Sequence, residues 1–66
     1  MKLKKSQLKI LNSELLDLKQ TYAIKKSEVA DAINVSPSQL SQYLNHGVIP
    51  EGKYKVLLII ITNKSI

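Results

Sequence analysis

The stretch Lys26–Gly47, KSEVADAINVSPSQLSQYLNHG, holds two short helical patterns separated by three residues. In the first, Val29, Ala30 and Ile33 share one face of a helix, while Ser27, Glu28 and Asp31 stand off it. This predicts a helix over about 26–33. The second opens with an N-cap hydroxyl at Ser36, proline at the first helical position and Gln39 three residues after the cap, which together predict a capping box. Proline costs nothing at that position, because the N–H it lacks would find no intrahelical partner. Leu40, Tyr43 and Leu44 then form an apolar side, and Gly47 suits the left-handed residue that ends many helices. Asn34, between the two patterns, also tolerates the left-handed region.

Two helices joined only by Asn34–Ser36 have the pattern of a helix-turn-helix. Ala30 is small where the pair would cross, and Val35 is an apolar plug for the turn. Before this unit, Leu8, Leu11, Leu15, Leu18 and Tyr22 recur at spacings of three and four, predicting an amphipathic helix over about 6–22. Ile24 stands where it can pack back on the second helix. After the unit, Val48 and Ile49 read as a buried connector. The segment 51–66 is rich in strand-forming Val, Ile and Thr, yet Tyr54, Leu57, Leu58 and Ile61 make a helical face and Pro50 suits a helix start. A lone strand would lack a partner unless two chains paired their edges, so a helix over about 51–63 is the expectation.

The chain of 66 residues fits one small domain, 1–66, with its helix-turn-helix core at about 24–50. The fold expected is all-α, a small domain of about four helices. There is no Cys and one His, His46, so neither a thiolate site nor a His-rich zinc site can be built, and no metal or other cofactor is expected. No residues pair a nucleophile with a base, and no Gly-rich phosphate loop occurs, so no catalytic residue is expected and the protein does not read as an enzyme. The longest apolar run, Val56–Ile61, falls far short of the roughly 20 residues of a membrane span. With no signal peptide legible, the expected location is the cytoplasm, bacterial or phage-infected.

Ten lysines against five acidic residues give a net charge of +5, and there is no arginine. Such a balance favours polyanionic partners. Yet Ala32–Pro50 carries no Lys, Arg, Asp or Glu and is rich in Ser, Gln and Asn. Neutral donors and acceptors are thus concentrated between flanking lysines.

The core sequence, with its EVA, the aliphatic Ile33, the NVS turn and PSQLSQYL, resembles lambda-repressor-like, Cro/CI-type (XRE-like) regulators over about Ile24–Pro50. It departs from that pattern at Asn34, where the family prefers Gly, at Lys26, where Gln often begins the helix, and after Gly47, where one helix fits instead of two. The resemblance implies a sequence-specific regulator of transcription, of the Cro or repressor kind from a phage or bacterium, that occupies an operator in double-stranded DNA. It also implies that helix 37–46 enters the major groove.

On that implication the base-reading candidates are Pro37, Ser38, Gln39, Ser41, Gln42 and Asn45. Gln and Asn present a donor and an acceptor together and can grip adenine, Ser serves several bases, and Pro37 suits a thymine methyl. The phosphate-binding candidates are Lys25, Lys26 and Ser27 at the start of the second helix, Ser36 at the start of the third, and Lys53 and Tyr54 at the start of the last. Lys2, Lys4 and Lys5 read as either a flexible arm or an ordinary charged terminus. The last helix has more aliphatics than one face can bury. With Leu57, Leu58 and Ile61 inward, Val56, Ile59 and Ile60 are left as an expected homodimer interface. A second reading keeps the fold and changes the partner to another regulatory protein, as in an antirepressor, an antitoxin or a small phage inhibitor.

Overall fold

The Ser36 hydroxyl starts the third helix as expected. In the computed structural model, which describes residues 1–66, its Oγ accepts the Gln39 backbone N–H at 3.1 Å and Pro37 is the first helical residue. The chain is an all-α domain of four helices: α1 (Lys5–Tyr22), α2 (Lys26–Ala32), α3 (Pro37–His46) and α4 (Glu51–Asn63). Its extents are 27 × 23 × 18 Å. No helix is long and apolar enough to cross a membrane.

α1 buries Leu11, Leu15 and Leu18, the central part of its predicted stripe. Ala23 ends α1 in the left-handed region at φ 56°, and the Ile24 N–H reaches back to the Leu18 carbonyl at 2.9 Å. That six-residue return folds Ile24 onto the core. Tyr22, expected in the stripe, is exposed, because the chain turns away from α1 immediately after it.

α2 contributes Val29 and Ala30, both buried, and ends one residue earlier than predicted. Ile33 leaves helical geometry but keeps its side chain in the core. Asn34 takes a positive φ of 64°, as its side chain permits. The Asn34 and Val35 N–H groups return to the Asp31 and Ala30 carbonyls at 3.0 and 2.9 Å, which closes the turn before α3. Leu40 and Leu44 of α3 then complete the packing against α2.

α4 is helical, but rotated from the expected face. Leu57 and Ile60 are buried, at 0% and 5% exposure, whereas Leu58 is exposed. Ile60 is therefore core and not an interface residue. Lys53, Leu57, Ile60 and Lys64 lie on one stripe at steps of four, three and four. Lysines stand at both ends of this stripe: Lys53 Nζ donates to the Ile33 carbonyl at 2.8 Å, and Lys64 Nζ donates to Glu14 Oε2 at 3.1 Å.

The first residues are not a free arm. Met1 and Ile49 exchange both backbone bonds at 2.9 Å, and the Leu3 N–H donates to the Gly47 carbonyl at 2.7 Å. Lys2 and Val48 form an isolated antiparallel bridge between them. Alternation in this short pairing sends Leu3 and Ile49 into the core and leaves Val48 53% exposed, where a buried connector was expected. Gly47 is needed at the junction. It has φ 70°, and a Cβ there would meet Leu8 Cδ2 at 3.3 Å.

Candidate nucleic-acid interface

Three features hold α3 in place: the Ser36 cap, the short turn from α2, and the inward anchors Leu40 and Leu44 with half-buried Tyr43. Its opposite side is set by periodicity. Pro37, Ser38, Ser41, Gln42 and Asn45 are all exposed, and Gln39 is half-buried on one flank. Of the six expected base-reading residues, five therefore lie on the open side of α3 and the sixth at its edge.

Only half of the predicted capping box forms. Ser36 accepts the Gln39 N–H, while the Gln39 side chain joins Gln42, His46, Met1 and Val48 around a concavity of about 500 Å³ beside α3. Ser36 is thus engaged as a cap. Ser38, Ser41, Gln42 and Asn45 make no hydrogen bond through their side chains within the protein. Each leaves its donors and acceptors open to solvent. Buried polar side-chain atoms elsewhere are all satisfied.

The expected phosphate-binding residues divide. Lys25, Lys26 and Ser27 are exposed at the start of α2, and neither lysine forms an ion pair. Lys53 is half-buried, and its ammonium is committed to the Ile33 carbonyl. Tyr54 stands about 100° around the helix from Lys53. It lines a groove between α1 and α4 with Gln7, Ile10 and Leu58 instead of joining Lys53. The structure does not bring these two residues together with α3.

Charge is distributed unevenly. Lys64 is paired with Glu14 and Asp17, at 3.1 and 3.7 Å, and Lys55 lies 3.8 Å from Glu51. Lys2, Lys4, Lys5 and Lys9, at the end of the molecule where the chain start meets Gly47, have no acidic partner. The hydrogen bond from Lys64 to Glu14 raises the Lys64 pKa above its ordinary 10.5 against an opposing desolvation effect, with the charges of Glu14 and Asp17 adding to the rise. No group of three or more His, Cys, Asp or Glu is placed to hold a metal ion.

Sequence reasoning missed the contribution of Met1 and Val48 to the wall beside α3. The signal was faint: Leu3 is an isolated apolar residue among lysines, and its partner Gly47 lies far along the chain. No family model matches the chain, nor does any curated protein or solved structure.

Proposed function

We propose that the protein is a sequence-specific double-stranded DNA-binding regulator of the Cro or repressor kind, with α3 as the element that enters the major groove. One observation carries this reading: Ser38, Ser41, Gln42 and Asn45 are aligned on the open side of a capped helix with no internal hydrogen-bond partner. A B-DNA major groove presents a distinct donor and acceptor pattern at each base pair, and neutral side chains of this kind can match it. The unpaired lysines at the start of α2 supply attraction to phosphate, which holds position without reading sequence. The net charge of +5 acts in the same direction.

A second copy fits the scheme. Val56 and Ile59 are exposed on α4, Ile59 at 57%, and exposed aliphatic side chains of this kind suit the pairing of two chains. A symmetric pair would address two half-sites about 34 Å apart.

The apolar groove holding Ile10 and Leu58 favours the second reading, docking on another regulatory protein. Selection from a random duplex pool at two salt concentrations separates the two. A DNA reader enriches a defined site and loses affinity steeply as salt rises. Recovery of no sequence above background, with weak salt dependence, would leave the protein-docking reading standing.

A further inference from the structure

We infer that Lys2 is a phosphate contact of the nucleic-acid interface, clipped beside the C-terminal end of α3 by the pairing of Met1–Leu3 with Gly47–Ile49. This rests on the reading of the protein as a duplex binder.

The backbone bonds fix where the side chain goes. Met1 and Ile49 exchange both bonds, and Leu3 bonds to Gly47, so Lys2 and Val48 are the directly opposite pair between them. That pair is the non-hydrogen-bonded kind, in which facing side chains come closest and leave the ladder on the same side. Val48 lines a concavity together with Gln42 and His46 of α3. Lys2 does not itself line the concavity, but it leaves the pairing on the same side as Val48, immediately after the end of the helix proposed to read bases. Leu3, buried at 6% exposure, anchors the segment one residue away, so little chain entropy remains to be lost on binding.

Charge and dimensions point to phosphate as the partner. The concavity is lined by no acidic residue, and Lys2 forms no ion pair. An α-helix is about 10–12 Å across with its side chains. The major groove is about 12 Å wide, so a helix seated in it leaves its immediate flank against a phosphate strand. The Lys2 ammonium is a compact point charge suited to that strand.

The test is a titration of a fixed mixed-sequence DNA duplex at several NaCl concentrations, using the full chain, Lys2→Gln, Lys2→Arg and Lys19→Gln. Lys19→Gln removes the same charge from the last turn of α1, about 20 Å along the helix axis from its start at Lys5. Lys2→Gln is expected to make the plot of log affinity against log salt shallower by about one, with Lys2→Arg and Lys19→Gln matching the wild type and all four melting alike. An unchanged slope for Lys2→Gln, or an equal change in Lys19→Gln, overturns the inference while the DNA reading stands. Absence of salt-dependent duplex binding by the wild type overturns both.

Discussion

The Lys53 ammonium donates to the Ile33 carbonyl at 2.8 Å, fastening the start of α4 to the end of α2. Ile33 follows the last helical residue of α2, where carbonyls lack intrahelical donors. A bond to a charged donor contributes about 1.5–3 kcal/mol, and partial exposure of Lys53 places this one near the low end. Lys53→Met keeps the aliphatic stem and deletes the donor. It should lower the thermal midpoint by roughly 4–8 °C for each kcal/mol lost. A melt identical to the wild type would show that the tether carries no weight.

Ala23 occupies the left-handed region at φ 56°, a conformation that costs an L-residue roughly 1–2 kcal/mol. Glycine takes it freely but gains more freedom in the unfolded chain, which offsets part of the benefit. Ala23→Gly should therefore raise stability by about 0.5–1 kcal/mol. Gly47→Ala should do the opposite and by more, because the new Cβ meets strain at φ 70° and Leu8 Cδ2 at 3.3 Å. Denaturant midpoints of the two variants should move in opposite directions.

On the proposed DNA-binding reading, Gln42 and Lys26 divide specificity from affinity. Gln42 lies on the open side of α3 with a free amide, whereas Lys26 is a free cation at the start of α2. Gln42→Ala should cost about 1–3 kcal/mol on the selected site and relax preference at one base pair. Lys26→Ala should weaken every duplex similarly and reduce the salt slope by about one. Equal losses on all sequences from Gln42→Ala would remove it from the readers.

The helices were legible because each has its own local signal. The Ser36–Pro37 start and the left-handed glycine at 47 bracket α3, and Asn34 marks the turn. The outward set on α3 followed from the same periodicity. The face of α4 did not follow, since Val56–Ile61 is aliphatic without interruption and offers no polar side to mark solvent. The contacts at the two ends of its buried stripe, Lys53 with Ile33 and Lys64 with Glu14, join residues distant in sequence. The pairing of Met1–Leu3 with Gly47–Ile49 was hidden for a related reason. Three residues are too few to show strand alternation, and the bonds span the chain from Met1 to Ile49.

Ile59 and Ile60 are adjacent in sequence and opposite in setting, at 57% and 5% exposure. Ile60→Asp buries an unpaired carboxylate and should unfold the domain, whatever its oligomeric state. Ile59→Asp should leave the monomer fold intact and convert a dimer to monomer. Sedimentation of the Ile59→Asp protein, with circular dichroism to check its helices, separates the effects. A wild type that sediments as a monomer at all concentrations would remove the α4 pairing from the proposed function.

Lys64 closes the end of α4 onto α1. Its ammonium lies 3.1 Å from Glu14 Oε2, 3.7 Å from Asp17 Oδ2 and 5.7 Å from the centroid of the Tyr22 ring. The hydrogen bond to Glu14 is the main reason that its pKa is raised in the folded state above the ordinary 10.5. A raised pKa means that the folded protein holds this proton more tightly than the unfolded chain does. The stabilisation is therefore fully present below 10.5 and is lost as pH rises through the higher folded value. Lys64→Gln keeps a polar side chain at the same left-handed position and removes the charge. The gap in thermal midpoint between wild type and Lys64→Gln should stay constant from neutral pH up to about 10 and narrow above 10.5. It should also shrink with added salt, since the pair is partly exposed. A gap that persisted unchanged well above 10.5 would assign the effect of Lys64 to its packing on Tyr22 and not to its charge.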